Sequence, residues 1–446
     1  MKKVKEILTV LFSLLMIFCL GPLAPLRAAG GPSPDKGLTL KEAIDTALKQ
    51  HPSIRQYQET VAAAQSGIGV SRAAYFPQFS FVGNFYYGNA FPITGVSPSA
   101  GTGAGLQSVT TDFYIYRFQA NQLIYDFGKT PGNVAGSRAT YKQSREDYLN
   151  NRQQVVLDAR TAYFGLLAAQ RAQKVQEETV RQNQELLRQA QGFFKVGLRA
   201  KYDVTKAEAN LYQAEASLIS AKNNVDLARV TLMNALGLKT WAYTKVEDVL
   251  EVTYEIPPLA DLKTRAVVQR PDLQKNLYQQ QGGRAALEVA RSGYFPVFTS
   301  TAAYGWQGNV PLSNNLPSTW WVGAAVNFPL FEGLATTYSV RQAKATLESS
   351  IANEEVLRQN ITKDVEQAYR NLVSGRELIR ATAKAREAAQ ENLRLAWGRY
   401  RAGVGTIIEV TDAQVQFSQA DLNYVQALYN YRVFEANLDK AIGRPF

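Results

Sequence analysis

The sequence has almost no cysteine or histidine, which removes several kinds of functional site. Its 446 residues include one cysteine, Cys19, and one histidine, His51. Cys19 lies in an N-terminal segment with three lysines, an apolar run from Ile7 to Leu20 and small residues near Ala28. These features predict a secretory signal peptide over residues 1–29. A chain cleaved there has no disulfide, no thiolate metal site and no cysteine nucleophile.

Long apolar stretches are also missing after this signal. No other run approaches the roughly 18 residues that a membrane helix needs. Any membrane-spanning part must therefore consist of β-strands, because helices and closed β-structures are what satisfy backbone hydrogen bonds in lipid. The formal net charge is +11. Its lysines and arginines are scattered singly along helical segments, which favours solvated helix faces over a nucleic-acid surface.

The sequence carries no recognisable catalytic or cofactor motif. It has no metal-ligand cluster, phosphate loop or hydrolytic triad, and the glycine-rich stretch Gly101–Gly105 lacks the strand before it and helix after it that a nucleotide site requires. His51 precedes Pro52 at a helix break, which favours a turn or surface residue over a metal ligand. We therefore predict no enzyme, no catalytic residue, no cofactor and no metal site.

The chain contains two copies of one unit. Gln50–Ile54 recurs as Gln269–Leu273, 219 positions later, and the separation falls to 206 after the first strands. A longer loop at Asn89–Thr111 in the first copy accounts for the change. The sequence therefore predicts two structural repeats, over residues 38–250 and 251–446.

Each copy predicts an opening helix followed by two strands. The opening helices are expected over Leu40–Ala74, with Thr39 as its N-cap, and over Leu259–Ser292, with a break at Pro271. A Tyr-Phe-Pro sequence ends each of them. The strands that follow alternate aromatic and polar residues, which favours one lipid-facing side and one wet side over a soluble hairpin packed on a core. These strands are predicted over residues 78–88, 113–126, 297–306 and 319–331.

Each copy ends with a long helix, a glycine turn and a shorter return helix. Pro131–Gly192 reads as one helix of roughly 90 Å. The return helices are predicted over Val204–Leu236 and Val410–Ile442, and opening and return helices together match one long helix in length. Seven-residue spacing of apolar residues indicates left-handed supercoiling. These positions are Tyr141, Tyr148, Val155, Ala162 and Ala169, then Val340, Leu347, Ile361 and Ala368, with Glu354 as the exception.

The second glycine turn carries two acids just beyond it. Glu409 and Asp412 are three residues apart at the start of a helix, so they share a face and suit the positive end of the helix dipole. The alternative to a functional pair is that these acids only stabilise the N-terminus of the helix.

Four strands per chain cannot close a barrel, and an open edge in lipid leaves backbone groups unsatisfied, so the sequence also predicts an oligomer.

Over residues 38–443 the sequence resembles TolC-type outer-membrane efflux channels. The features that carry the resemblance are the duplication, the Tyr-Phe-Pro helix stops, the strand-end motifs Leu123–Gly128 and Pro329–Gly333, and the Val196-Gly197-Leu198 turn. The resemblance implies a mainly α fold with a β-barrel part. Three chains would share a twelve-strand outer-membrane barrel, continued by a periplasmic α-helical coiled-coil tunnel. Such a homotrimer is the exit duct of a tripartite efflux or type I secretion system. It passively conducts cargo from an inner-membrane pump or ABC transporter and a periplasmic adaptor, and contacts outer-membrane lipid but no nucleic acid.

The resemblance also implies roles for particular residues. Glu409 and Asp412 match a ring of acids at the narrow end of the tunnel. Tyr400 matches a tyrosine that bonds an aspartate of the neighbouring subunit, here Asp203, to hold the tip shut. An arginine expected two residues after the second turn glycine is replaced by Gly405. The adaptor-docking tip would comprise Val196, Gly197, Leu198, Ala402, Gly403 and Val404.

Two alternatives compete with the channel. One is a periplasmic adaptor or coiled-coil spacer of an envelope complex, and the other is an enzyme on a helical scaffold. An adaptor would have one long hairpin with lipoyl-like segments and no aromatic strand pairs, which disagrees with this sequence. Drugs, metals, peptides and secreted proteins stay open as cargo.

Overall fold

The computed structural model describes residues 37–88, 111–241, 243, 245–251, 256–310 and 317–444. The predicted signal peptide and nearly all of the loop predicted at Asn89–Thr111 lie outside these residues. The chain forms two units, of which the smaller combines the segment up to Leu38 with residues 242–246. Within it, the Leu38 amide donates to the Lys245 carbonyl at 2.8 Å. No helix in the described part is long and apolar enough to cross a membrane.

The larger unit, Thr39–Trp241 with Glu247–Phe446, contains the helices and strands. Helices and strands follow the same order in both halves of the chain, with a short 3₁₀ turn at Ala73–Tyr75 in the first half. In the first half they are α1 Leu40–Gln50, α2 Pro52–Arg72, β1 Gln78–Gly88, β2 Thr111–Tyr125, α3 Lys129–Lys195 and α4 Lys201–Ala235. In the second half they are α5 Leu259–Gln269, α6 Pro271–Ser292, β3 Val297–Val310, β4 Ser318–Asn327, α7 Ala335–Arg401 and α8 Ile407–Ala441.

The first opening helix is broken at His51, which confirms the helix break predicted before Pro52 and corrects the span Leu40–Ala74 to two helices. Thr39 caps α1 through a reciprocal capping box with Glu42, as its sequence position predicted. His51 then adopts an extended conformation, with φ −64° and ψ 125°, and α2 restarts at Pro52. Proline disfavours helical geometry at the residue before it and suits the first position of a new helix. The predicted break at Pro271 follows the same rule, with Arg270 extended.

The return helices end against these breaks. Gly237, just after α4, has φ +70°, and a Cβ there would lie 2.7 Å from the His51 Cα. Gly443, just after α8, has φ +71°, and its Cβ would lie 2.8 Å from the Gln269 carbonyl oxygen. Both sites need glycine because the conformation is left-handed and the opposing backbone is close. Since α2 and α4 both pack along α3, they lie end to end beside it, as their lengths predicted.

The two long helices have 67 residues each, about 100 Å at 1.5 Å per residue. The seven-residue apolar series lies along their packed sides. Glu354, the exception in that series, accepts a hydrogen bond from the Gln280 side chain at 2.8 Å and pairs with Arg358. Buried members of the series are Val155, Ala162, Leu347, Ile361 and Ala368.

The four strands form one antiparallel sheet in the order β1-β2-β3-β4. Aromatic residues face each other across strands on one side, for example Phe81 with Phe118 at 5.1 Å between ring centroids. That aromatic side is largely exposed, whereas the other side mixes serine, threonine, asparagine and glutamine with small and apolar residues and with the aromatic Tyr86 and Trp321. The last strand ends at Asn327, short of the predicted 331. Pro329 has no amide to donate to a ladder, which accounts for this correction.

Candidate functional site

The first turn joins α3 to α4 through a left-handed glycine. Gly197 has φ +77°, and its amide donates to the Phe194 carbonyl at 3.0 Å. The Leu198 amide donates back to the Phe193 carbonyl at 2.9 Å. This pair of bonds is a Schellman motif, which satisfies the last carbonyls of a helix and favours glycine at this position. The turn is therefore fixed by local backbone bonding.

The second turn, between α7 and α8, repeats this geometry and adds a helix cap. Gly403 also has φ +77°, and the Val404 amide donates to the Arg399 carbonyl at 3.1 Å. Thr406 then caps α8 in a reciprocal capping box with Glu409. This cap was not predicted, although threonine followed three residues later by glutamate is its usual signal.

The two turns present apolar side chains to solvent. Val196 is 67%, Leu198 70% and Val404 69% exposed. Beneath them the ends of both hairpins share one buried cluster, so these side chains project from a packed base. Its members are Leu186, Ala190, Ala207, Leu393, Ala396, Tyr400, Ile407, Val410 and Ala413. All six residues of the predicted docking tip are exposed.

Arg199 joins the first turn to the second. Its Nη2 donates to the Gly403 carbonyl at 3.1 Å and to the Gly405 carbonyl at 2.5 Å. Its guanidinium also lies 5.6 Å from the centre of the Tyr400 ring. A guanidinium suits this position because one of its nitrogens carries two N–H donors, one for each carbonyl, while its plane rests near an aromatic ring. We call this set of contacts the Arg199 link.

Gly405 has a structural role that the sequence analysis did not foresee. Its amide donates to the Arg399 carbonyl at 3.0 Å, and a Cβ at this residue would lie 2.9 Å from the Arg399 Cβ. An arginine at residue 405 would therefore require the turn to shift. Arg199 lies 206 positions before Gly405, so the missing arginine stands at the equivalent place in the first turn.

Tyr400 is completely buried. Its ring packs against Phe193 at 5.7 Å between centroids, and its hydroxyl has no hydrogen-bond partner in the described part of the chain. Burial raises the pKa of Tyr400, and the negative charge of Asp203 raises it further. The chain's own Asp203 is therefore near Tyr400 but makes no hydrogen bond to it. The predicted pairing with a neighbouring subunit stays a prediction.

Glu409 and Asp412 have different surroundings. Glu409 accepts a hydrogen bond from Arg399 Nε at 3.1 Å, and this bond lowers the pKa of Glu409. Asp412 is exposed, and no ion pair or hydrogen bond to it is found within the described residues. The pair thus carries one neutralised and one free carboxylate. Arg399 was another residue that the sequence analysis missed.

The chain belongs to the outer membrane efflux protein family. The family model matches residues 43–238 and 262–444, the greater part of both halves.

Among curated relatives, the chain is 24% identical to outer membrane protein TolC of Escherichia coli K12, covering 94% of this chain and 85% of that protein. It is 23% identical to the outer membrane efflux protein BepC of Brucella suis biovar 1, covering 91% and 85%.

Solved structures have the same fold. The outer-membrane channel OprN superposes with a TM-score of 0.78 at 18% identity, covering 91% of this chain and 90% of that one. The CmeC outer-membrane channel of Campylobacter jejuni superposes with a TM-score of 0.78 at 19% identity, covering 91% of this chain and 85% of that one.

These findings confirm the mainly helical fold with a small sheet, the outer-membrane location with a large periplasmic part, and the function of an efflux exit duct. They set aside the adaptor alternative, since the family is one of channels. The roles of the tip residues stay predictions.

Proposed function

We propose that three copies of this chain form one conduit. Twelve strands would close a barrel in outer-membrane lipid, and the helices would continue it as a tunnel built from the repeats 38–250 and 251–446. Cargo would arrive through a periplasmic adaptor from an energised inner-membrane transporter. The duct itself would carry out no catalytic step and hold no cofactor or metal.

The observation that supports this assembly is an apolar strip on α4 that has no partner in the described part of the chain. Ile219 is 69% exposed and Val230 is also exposed. Their equivalents 206 positions later on α8, Val425 and Ala436, are buried. The difference arises because α4 packs along α3, whereas α8 packs along α7 and also along α3. In the first repeat, α4 therefore lacks a second packing partner of the kind that α8 has in α3.

A neighbouring copy would supply that partner through its α7. Leu378 and Leu395 on α7 are exposed, while the equivalent residues on α3, Ala172 and Gln189, are half-buried. Packing α4 of one copy on α7 of the next would repeat the seam that α8 and α3 already form within the chain. This seam is heterologous and generates a ring when its rotation closes. The number three comes from the resemblance.

We expect the purified protein to form a heat-resistant trimer in detergent, and Ile219→Asp to lose most of it. An aspartate at this seam would bury an unpaired charge. Ile219→Leu keeps the apolar contact and should keep the trimer. Mass measured by light scattering would distinguish the species. An Ile219→Asp protein that remains fully trimeric would contradict this seam.

The exposed turns are the second part of the proposal. Val196, Leu198 and Val404 form three apolar projections on backbone held by Schellman bonds, and the helix pairs behind them are packed. Such a surface fits the tip of another helical hairpin, the form expected for a periplasmic adaptor. Tight turns with small residues between the projections let a second hairpin approach closely.

Replacing Leu198 and Val404 by serine should reduce export several-fold while trimer and conductance stay unchanged, because the change removes apolar contact outside the channel. The measurement is the export of a dye by cells in which this chain is required for that export. Val70→Ser on α2 is the matched control, since Val70 is about as exposed as Leu198 and Val404 but is far from both turns in the sequence. Equal export by the double variant and the control would argue against docking at this tip.

A further inference from the structure

The strand region of this chain has a single cation. Residues 78–125 and 297–327, which include all four strands, contain just two charged residues, Asp112 and Arg117. Asp112 is five positions from Arg117 along β2, roughly 17 Å at 3.3–3.4 Å per residue. The two residues are therefore well separated along the strand. Arg117 is an isolated positive charge within the sheet.

Arg117 lies on the polar side of the sheet. Along β2 it alternates with Tyr116 and Phe118, which belong to the aromatic side. Its neighbours across the strands are Val82 on β1 and Gly305 on β3, and neither has a side chain that accepts a hydrogen bond. The Arg117 Nε is buried and has no hydrogen-bond partner in the described residues.

The surrounding residues leave room for this side chain and do not neutralise it. A Cβ at Gly305 would lie 2.5 Å from the Arg117 Cα and 2.6 Å from its Cβ, so β3 needs glycine beside the arginine. Gln119, next on the same side, donates its amide to Asn121 at 2.9 Å. The guanidinium thus has no acid beside it, because its cross-strand neighbours are apolar and the nearby Gln119 amide already bonds to Asn121.

We propose that Arg117 forms an anion-binding ring inside the barrel. This inference rests on the proposed trimer, in which the aromatic side would face lipid and the polar side would line the lumen. Three Arg117 side chains would then lie at one height, and no copy contributes an acid from these strands near them. Arginine keeps its charge and binds carboxylate or phosphate groups through paired N–H donors. Rings of arginine or lysine are how anion pores select their solutes.

The ring gives the duct two filters of opposite sign in series. The acids Glu409 and Asp412 lie at the turns, and Arg117 lies in the sheet, at the other end of the long helices. The ligands expected at Arg117 are anionic groups of passing solutes, such as carboxylates, phosphates and sulfonates.

The test is block of single-channel current by tripolyphosphate added on the barrel side of the wild-type trimer. Arg117→Gln should raise the half-blocking concentration at least about tenfold, the factor expected for losing one charge-assisted hydrogen bond. Val82→Glu keeps the arginine but places a carboxylate directly opposite, and should give the same loss. Arg117→Lys keeps the charge and should retain most of the block, and Gln119→Ala should retain all of it.

Equal block of the wild type, Arg117→Gln and Val82→Glu would overturn the ring. A wild-type protein that forms no conducting trimer would instead contradict the proposed assembly, so the two failures are distinguishable. Val82→Glu preserves the test if Arg117→Gln does not assemble.

Discussion

Replacing Glu409 by Gln and Asp412 by Asn together should reverse the ion preference at the tip of the tunnel, from cations to anions. The Arg399 Nε lies 3.1 Å from the Glu409 Oε2. Together the two acids and this arginine carry a net charge of −1 per chain. Either single replacement brings that sum to zero, and the double replacement leaves +1. One unit charge about 6 Å from a permeating ion changes its population in water about threefold. Reversal potentials in a salt gradient would measure the change.

The arginine makes this expectation specific. Adding Arg399→Gln to the double variant should return the preference to near neutral, because the unpaired cation is removed. Gln at residue 409 can still form the capping box with Thr406, so the helix end should be retained. If the double variant keeps the wild-type preference for cations, these acids do not line the conducting path.

The same ion pair should set the pH range over which the preference holds. Arg399 lowers the pKa of Glu409, so this carboxylate stays charged as pH falls through the ordinary glutamate range. Arg399→Gln should therefore make the cation preference begin to fall at a higher pH, from a larger starting charge of −2 per chain. An unchanged pH profile would show that Glu409 contributes little to the preference.

The features that sequence could predict are those that local chemistry determines. The glycines at 197 and 403 each sit where a helix reverses, and both have the left-handed conformation that the repeat comparison implied. The seven-residue series predicted the buried sides of α3 and α7 because a coiled helix pair repeats its contacts at that interval. Membership of the family followed from these repeated features and not from any one residue.

The features that sequence did not predict depend on side chains meeting across the fold. Arg199 contacts a turn 206 residues away, and no propensity rule shows where its side chain ends. The repeat offset makes Arg199 the counterpart of Gly405, but it does not show that the side chain reaches the second turn. The break at His51 followed a local rule, the effect of Pro52, which was stated for His51 but not applied to the bounds of the first opening helix. A glycine is needed at residue 237 only because α4 ends against the backbone of that break.

Replacing Arg199 by Ala should open the resting tip, with a rise of about tenfold in the open fraction. The arginine makes two hydrogen bonds to carbonyls of the second turn and rests near the Tyr400 ring. Loss of about 1.4 kcal/mol from the closed state gives that factor, and charge-assisted bonds are worth at least as much when partly shielded from water. Closed-state conductance in planar bilayers, and uptake of large antibiotics by cells, would report it.

Two matched variants separate the Arg199 link from a general effect of removing positive charge near the tip. Arg188→Ala removes an exposed arginine of α3 whose ion pair with Glu185 is local, so it should leave the tip closed. Arg199→Lys keeps the charge and a nitrogen that can donate to two carbonyls, but it loses the guanidinium plane near the Tyr400 ring, so an intermediate effect is expected.

Tyr400 decides which contact holds the tip. Its hydroxyl lacks a partner within the described chain, so Tyr400→Phe should leave the closed state nearly unchanged. Tyr400→Ala should loosen it, because an emptied aromatic site in a core typically costs about 3–5 kcal/mol. If Tyr400→Phe opens the channel as strongly as Arg199→Ala, the hydroxyl bonds Asp203 of a neighbouring subunit, as the family resemblance implies. The tip is then held mainly between chains, and the Arg199 link is secondary.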